Sequence, residues 1–387
     1  MATVSGKHFE SLLNRGYSRR HIGRILSAIT TGAAALPFTE FAQAQEAERR
    51  VRGGNRGMMD PTIVRISSNE NPLGPCKEGC EAIAKIAPLG GRYSPTGEQQ
   101  EFVKTVAEME GVKQECVAAF AGSSDPLFRS SCAFSSPTRS WTMGDPGYGG
   151  GAPEFIGAKT VKVPLGADYS HDVEAMIKAD PNAGAYYVCN PNNPSGSITS
   201  REKIEYLLAH KQKDAVVIVD EAYIHFSETA KPCSDLVAAG KDVIVLRTFS
   251  KVYGMAGIRA GFALARPDLL AKMRPYGGGM LPITGLACAT ASMKVKNLVP
   301  ERRAINKKIR ENTFAFLDSK KIKFVPSETN FFMMETHRPG NEVAKAFLDK
   351  KIMIGRVWPA WPTHVRVTVG TQDEMDKFTA ALSRIMA

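Results

Sequence analysis

From Val117 to Ala265 the chain alternates short apolar runs with polar turns and stretches of helical spacing. The runs Val117–Phe120, Ser140–Met143, Thr160–Val163, Ala185–Cys189, Ala215–Val219, Val243–Leu246 and Ala260–Ala265 have strand length, and the segments Asp172–Lys178 and Arg201–His210 between them read as helices. This alternation predicts a three-layer α/β large domain, a mainly parallel sheet covered by helices. The pattern then changes. Thr284–Lys296 and Pro300–Lys320 predict helices, the second long and charged, before strands at Lys323–Val325 and Asn330–Glu335. A helix at Asn341–Lys350, strands near Ile352–Val357 and His364–Val369, and a closing helix at Asp373–Met386 predict a smaller α+β domain. Boundaries follow: a leader over 1–44, an arm and part of the small domain over 45–92, the large domain over 93–297 and the small C-terminal domain over 298–387.

Composition narrows the class. At 387 residues and 43% hydrophobic the chain can bury a large core. No apolar stretch in its body reaches the roughly 18 residues of a membrane span. In the leader, Ser18-Arg19-Arg20-His21-Ile22 precedes a modestly apolar stretch from Ile25 to Phe38, and Ala42-Gln43-Ala44 offers a small-residue cleavage site. That order is similar to a bacterial twin-arginine export signal, which carries folded cargo and predicts a periplasmic or otherwise exported protein. The alternative is a basic tail with an accidental arginine pair, which leaves the protein cytoplasmic.

The net charge of +11 is scattered and lacks a basic stretch interleaved with aromatics, so nucleic-acid binding is unsupported and anionic small molecules are the better ligands. Seven cysteines are too sparse for a disulfide scaffold. Cys76 and Cys80, four apart, leave a disulfide or metal site open, but no matching histidine pair and no zinc pattern accompanies them.

Candidate chemistry gathers where apolar runs end, which is where ligands bind in such sheets. Lys251 follows Val243–Leu246 and precedes Arg259 by eight residues; a desolvated lysine beside cationic groups can attack a cofactor aldehyde. Alone it would be a surface charge or half of a Ser-Lys dyad. Asp220, closing the run Ala215–Val219, can keep a pyridine nitrogen protonated, and Tyr223 and Asn193 can donate to a ring oxygen. Gly122-Ser123-Ser124-Asp125 opens a helix suited to phosphate, to which Thr248, Ser250 and Arg259 add donors and charge; as an isolated motif it is an N-cap. Tyr148 can stack on a ring face. Arg366, in a strand, offers a planar fork for a carboxylate, and Arg356, near Trp358 and Trp361, is a candidate for the far end of a substrate. Together these residues describe a pyridoxal-phosphate site.

In this order, with Asn69-Glu70-Asn71-Pro72, Tyr93-Ser94-Pro95, Pro191-Asn192-Asn193-Pro194 and Arg366-Val367-Thr368-Val369-Gly370, the chain resembles the fold-type I pyridoxal-phosphate aminotransferases, most of all the histidinol-phosphate aminotransferase branch, over roughly residues 60 to 387. The resemblance implies pyridoxal 5'-phosphate as cofactor and a homodimer with shared active sites, where Tyr93 reaches the neighbour's phosphate. It implies Lys251 as the imine-forming residue, Asp220 at the ring nitrogen and Asn193 with Tyr223 at the ring oxygen. Ser123, Ser124, Thr248, Ser250 and Arg259 fall to the phosphate, and Arg366, Asn330, Asn71 and Arg356 to substrate. The expected reaction is ping-pong amino transfer to a 2-oxo acid. Decarboxylation, elimination or oxidation on the same fold, and a non-catalytic amine or cofactor sensor, are the alternatives. Ser195 stands where the branch has threonine, and Pro126 where it has an acidic residue. An export signal also conflicts with a cytoplasmic biosynthetic role, which leaves the substrate open.

Overall fold

A computed structural model describes residues 6–31, 60–149, 151–278 and 280–386. In chain order its strands are β1 (Val64–Ile66), β2 (Val117–Phe120), β3 (Ser140–Asp145), β4 (Thr160–Pro164), β5 (Ala183–Cys189), β6 (Val216–Asp220), β7 (Val243–Thr248), β8 (Gly261–Leu264), β9 (Phe331–Glu335), β10 (Ile352–Ile354) and β11 (His364–Thr368).

Seven strands form one sheet in the order β2-β8-β7-β6-β5-β3-β4. Strands β7, β6, β5, β3 and β4 are parallel, while β8 runs antiparallel to both neighbours, so the expected mainly parallel sheet is present. Every residue of β5, β6 and β7 is buried, which explains why these strands read as unbroken apolar runs. Val188, Val217 and Val245 face one helix layer and Tyr187, Ile218 and Ile244 the other. Each such buried aliphatic side chain contributes roughly 1.5–3 kcal/mol.

A second core gathers Ile66, Phe332, Phe347, Val367 and Phe378 around the parallel pair β1–β10 and the antiparallel pair β9–β11. Helix Leu298–Ser319 joins the two, with Leu298 in the large core and Ile309 and Leu317 in the small one. The predicted strand at Lys323–Val325 is reduced to one bridge, Phe324 to Met334, because Pro326 has no N–H to extend the ladder. The described part of the 45–92 stretch, residues 60–92, divides between the cores. Val64–Ile66 completes the small one, whereas helix Lys77–Ile86 packs on Ile283–Met293 in the large one. There Cys76 caps its helix by accepting the Gly79 N–H, while Cys80 lies exposed; both thiols are free.

The leader is folded over its described part. Gly6–Asn14 and Arg19–Thr31 are helices, and among the described residues no helix is long and apolar enough to cross a membrane. Ile22, Ile25 and Ala28 recur at helical spacing and are buried, with Leu12 and Tyr17, against Phe128, Cys132, Ile156 and Tyr276. At the turn between the helices Arg15 donates to the carbonyls of Cys132 at 2.7 Å and Ser135 at 2.6 Å and to the Tyr276 hydroxyl at 2.7 Å. It thereby caps the C-terminus of helix Ser124–Phe134, where carbonyls lack helical partners and a cation complements the dipole. The stretch with the expected cleavage site, Ala42–Ala44, lies outside the described residues. Arg15→Ala should cost about 2 kcal/mol, read as a lower urea midpoint at unchanged slope; an unchanged midpoint would show that the cap contributes nothing.

Candidate active site

The parallel strands end side by side, Cys189 opposite Asp220 and Asp220 opposite Leu246, so the polar segments that follow them meet in one cleft. Its lining includes Ser123, Ser124, Tyr148, Asn193, Asp220, Tyr223, Thr248, Ser250, Lys251 and Arg259, together with Ser68, Glu70 and Cys189.

At one end of the cleft helix Ser124–Phe134 begins, with Ser123 at its N-cap making no side-chain capping bond. Gly122 has φ +94°, and a Cβ there would collide with the Arg259 guanidinium, so glycine lets the arginine lie against the turn. Arg259, itself at φ 66°, donates to Ser250 Oγ at 3.0 Å and to Ala121 O at 3.0 Å, while Thr248 Oγ1 donates to Ser250 Oγ at 2.9 Å. Burial lowers the Arg259 pKa from its ordinary value, the sign of a cation poor in solvent and suited to an anion. Helix N-terminus, small hydroxyls and guanidinium make a phosphate-binding donor set.

Toward the other end Asp220 is 2% exposed, and both its carboxylate oxygens are held: Oδ2 accepts from the Tyr187 hydroxyl at 2.8 Å and Oδ1 from the Ala222 N–H at 3.2 Å. Burial, then the Asp220 charge, pushes the Tyr187 phenol well above its usual range, so it stays a donor. Lys251 is 8% exposed, with Nζ donating to Ser68 O at 3.3 Å and lying 5.4 Å from the centre of the Tyr223 ring. The Tyr223 hydroxyl accepts from Asn69 Nδ2 at 3.0 Å and Asn193 Nδ2 at 3.4 Å. A phosphate-binding end, a buried carboxylate, a lysine amine and amide and phenol donors form the set a phosphorylated pyridine aldehyde needs.

The remaining candidates surround this cleft. Arg366 donates to Asn193 Oδ1 at 2.7 Å and to Ser67 O at 2.8 Å, placing its guanidinium beside Asn193 at the edge of the cleft. Arg356 lies over the Trp358 ring, 4.3 Å from its centre. Asn330 and Asn71 act on backbone: Asn330 Nδ2 donates to Asn69 O at 3.1 Å and Glu70 O at 3.2 Å, and Asn71 Nδ2 to Val252 O at 2.9 Å. Both pin the 69–73 segment across the domain junction and line a separate pocket behind it. Tyr93 is 85% exposed and lies outside the cleft of its own chain.

Two contributors were not singled out from sequence. Tyr187 reads as one more apolar strand residue. Asn69 sits in the quoted Asn-Glu-Asn-Pro motif, but its backbone at φ 55° and its bonds to Thr368 and Tyr223 are what aim it at the cleft. A polar residue between the strand-like Val64–Ile66 and a proline was the available signal. Behind the cleft, Arg247 bonds Glu221 at 2.6 Å and Glu110 at 3.0 Å, a buried ion cluster that ties the ends of β6 and β7 together.

The family model for aminotransferase class I and II matches residues 61–382. The histidinol-phosphate aminotransferase 2 of Methylococcus capsulatus is 32% identical over 340 residues, covering 84% of this chain and 90% of that protein. The aromatic amino acid aminotransferase of Cutibacterium acnes is 31% identical over 335 residues, covering 83% and 92%. The crystal structure of histidinol-phosphate aminotransferase from Sinorhizobium meliloti in complex with pyridoxal-5'-phosphate shares the fold, with a TM-score of 0.77 at 24% identity over 88% of this chain and 94% of that one.

Proposed function

The chain belongs to the class I and II aminotransferases, with pyridoxal 5'-phosphate as cofactor, and from that premise we propose that it moves an amino group from a histidinol-phosphate-like or aromatic amino donor to a 2-oxo acid in two half-reactions. The observation that carries this reading is the shared cleft of Lys251, Asp220 and Arg259, with Arg366 beside it. When bound, the cofactor supplies an electrophilic aldehyde and a ring that accepts the electron pair released at the substrate carbon.

The chain's residues supply the rest. Asp220, oriented by Tyr187 and Ala222, holds negative charge where a protonated ring nitrogen needs it. Tyr223 and Asn193 donate toward the ring oxygen, and Arg259, Ser250 and the Gly122–Ser124 turn anchor the phosphate. The Lys251 amine would take the proton from the substrate carbon that bears the nitrogen and hold it for return, which is general acid–base work in a site with little water. Arg366 grips the substrate carboxylate and Arg356 the anionic or aromatic far end.

A homodimer fits the outward Tyr93, which in this reading serves the neighbouring subunit's phosphate. Export fits the exposed Arg19 and Arg20; because Ile22 and Ile25 are buried, the leader has to undock before a transport machinery can grip it. With 2-oxoglutarate as acceptor, a panel of donors including histidinol phosphate and aromatic amino acids should give glutamate. Release of carbon dioxide or peroxide without any need for a 2-oxo acid would contradict the reading.

A further inference from the structure

Trp358 is absorbed by none of the roles above, yet it touches both substrate arginines. The Arg356 guanidinium lies 4.3 Å and the Arg366 guanidinium 5.3 Å from the centre of its ring, close enough for each cation to feel the indole's negative face. Phe331 flanks Arg366 as well, at 5.6 Å, and packs against Tyr223, so Arg366 is held among aromatic rings beside the cleft. The indole is 6% exposed and rests on Val325 and Met333 of the small domain. Its position is set by a tight turn, in which Trp358 and Trp361 form a bridge across Pro359-Ala360 and the Trp361 N–H donates to Trp358 O at 3.0 Å.

The same side chain reaches across to the large domain. Its Nε1–H donates to Gly147 O at 3.3 Å, in the loop whose next residue is Tyr148. A buried indole N–H needs such a partner, and this one belongs to the residue before Tyr148, which lines the cleft. Trp358 thus joins three parts on which binding depends: the carboxylate arginine, the arginine for the distal group and the loop that carries the ring-stacking tyrosine.

Resting on the aminotransferase reading, we propose that Trp358 is a positioning residue that sets the two guanidinium groups for a substrate anionic at both ends and ties the small domain to the Tyr148 loop. The class favoured is a dicarboxylic 2-oxo acid, on the acceptor side of the proposed exchange, because one ring fixes both cations. A singly charged analogue would use Arg366 alone.

The test compares the full chain loaded with pyridoxal phosphate as wild type, Trp358→Phe and Trp358→Leu, titrated calorimetrically with succinate and with propionate. Wild type should bind succinate more tightly. Trp358→Leu should weaken succinate by about tenfold and propionate by less, since two cation–ring contacts are lost for one ligand and one for the other. Trp358→Phe keeps a ring but loses the N–H, and should raise the KM for the dicarboxylic 2-oxo acid by about two- to fivefold at nearly unchanged kcat. A packing role alone would lower the melting temperature of Trp358→Leu and leave the succinate-to-propionate ratio at the wild-type value, which would overturn the proposal. If Trp358→Leu does not fold, an unchanged KM and an unchanged ratio in Trp358→Phe overturn it equally. Failure of the wild type to take up cofactor would remove the aminotransferase reading instead, and shows itself before any titration.

Discussion

Lys251→Ala should reduce amino transfer by roughly 10⁴-fold or more, because it removes at once the cofactor's attachment and the base that moves the substrate proton. The variant should fold. The side chain donates to Ser68 O, and its neighbours Thr248, Ser250 and Arg259 also bond one another. Pyridoxal phosphate should still enter through the phosphate-binding end, but the visible absorbance of the lysine-bound cofactor should be lost. Single-turnover assays with excess cofactor check both expectations, and near-normal turnover would remove Lys251 from its role.

The second large effect is expected at Asp220. Asp220→Asn keeps the shape of the side chain and an oxygen for the Tyr187 hydroxyl to bond, but removes the charge that would hold a ring nitrogen protonated. A loss in kcat of about 10²–10³-fold is expected from the missing electrostatic stabilisation, with a lower melting temperature because the amide nitrogen that replaces Oδ1 cannot accept from the Ala222 N–H. Because Tyr187 carries a strongly raised pKa, it cannot take over as an anion near neutral pH. A loss under tenfold would mean that this acid does not face the ring.

How far the chain could be read in advance depended on the range over which each contact acts. The central strands were legible because burial on both faces leaves unbroken apolar runs, and Asp220 and Lys251 stood out by following such runs. Tyr187 was not legible: its hydroxyl works only because β5 and β6 pair with Cys189 opposite Asp220, a register no single strand encodes. Asn69 depends on Thr368, 299 residues away, and on a left-handed backbone. Asn330 and Asn71, expected at the substrate, bond backbone carbonyls of and beside the 69–73 segment, contacts that an amide read in sequence alone does not reveal. The leader was ambiguous for a related reason. An apolar stripe such as Ile22, Ile25 and Ala28 serves an export signal or a docked helix equally well, and the groove it occupies is assembled from residues more than a hundred positions on.

The most direct measurement is to reduce the cofactor-loaded protein with borohydride, digest it and find the modified peptide by mass spectrometry. Cofactor fixed to Lys251, in the peptide that leads to Arg259, is the predicted result. Attachment to another lysine, or none at all, would contradict the assignment on which the site, the proton transfer and the proposed reaction stand.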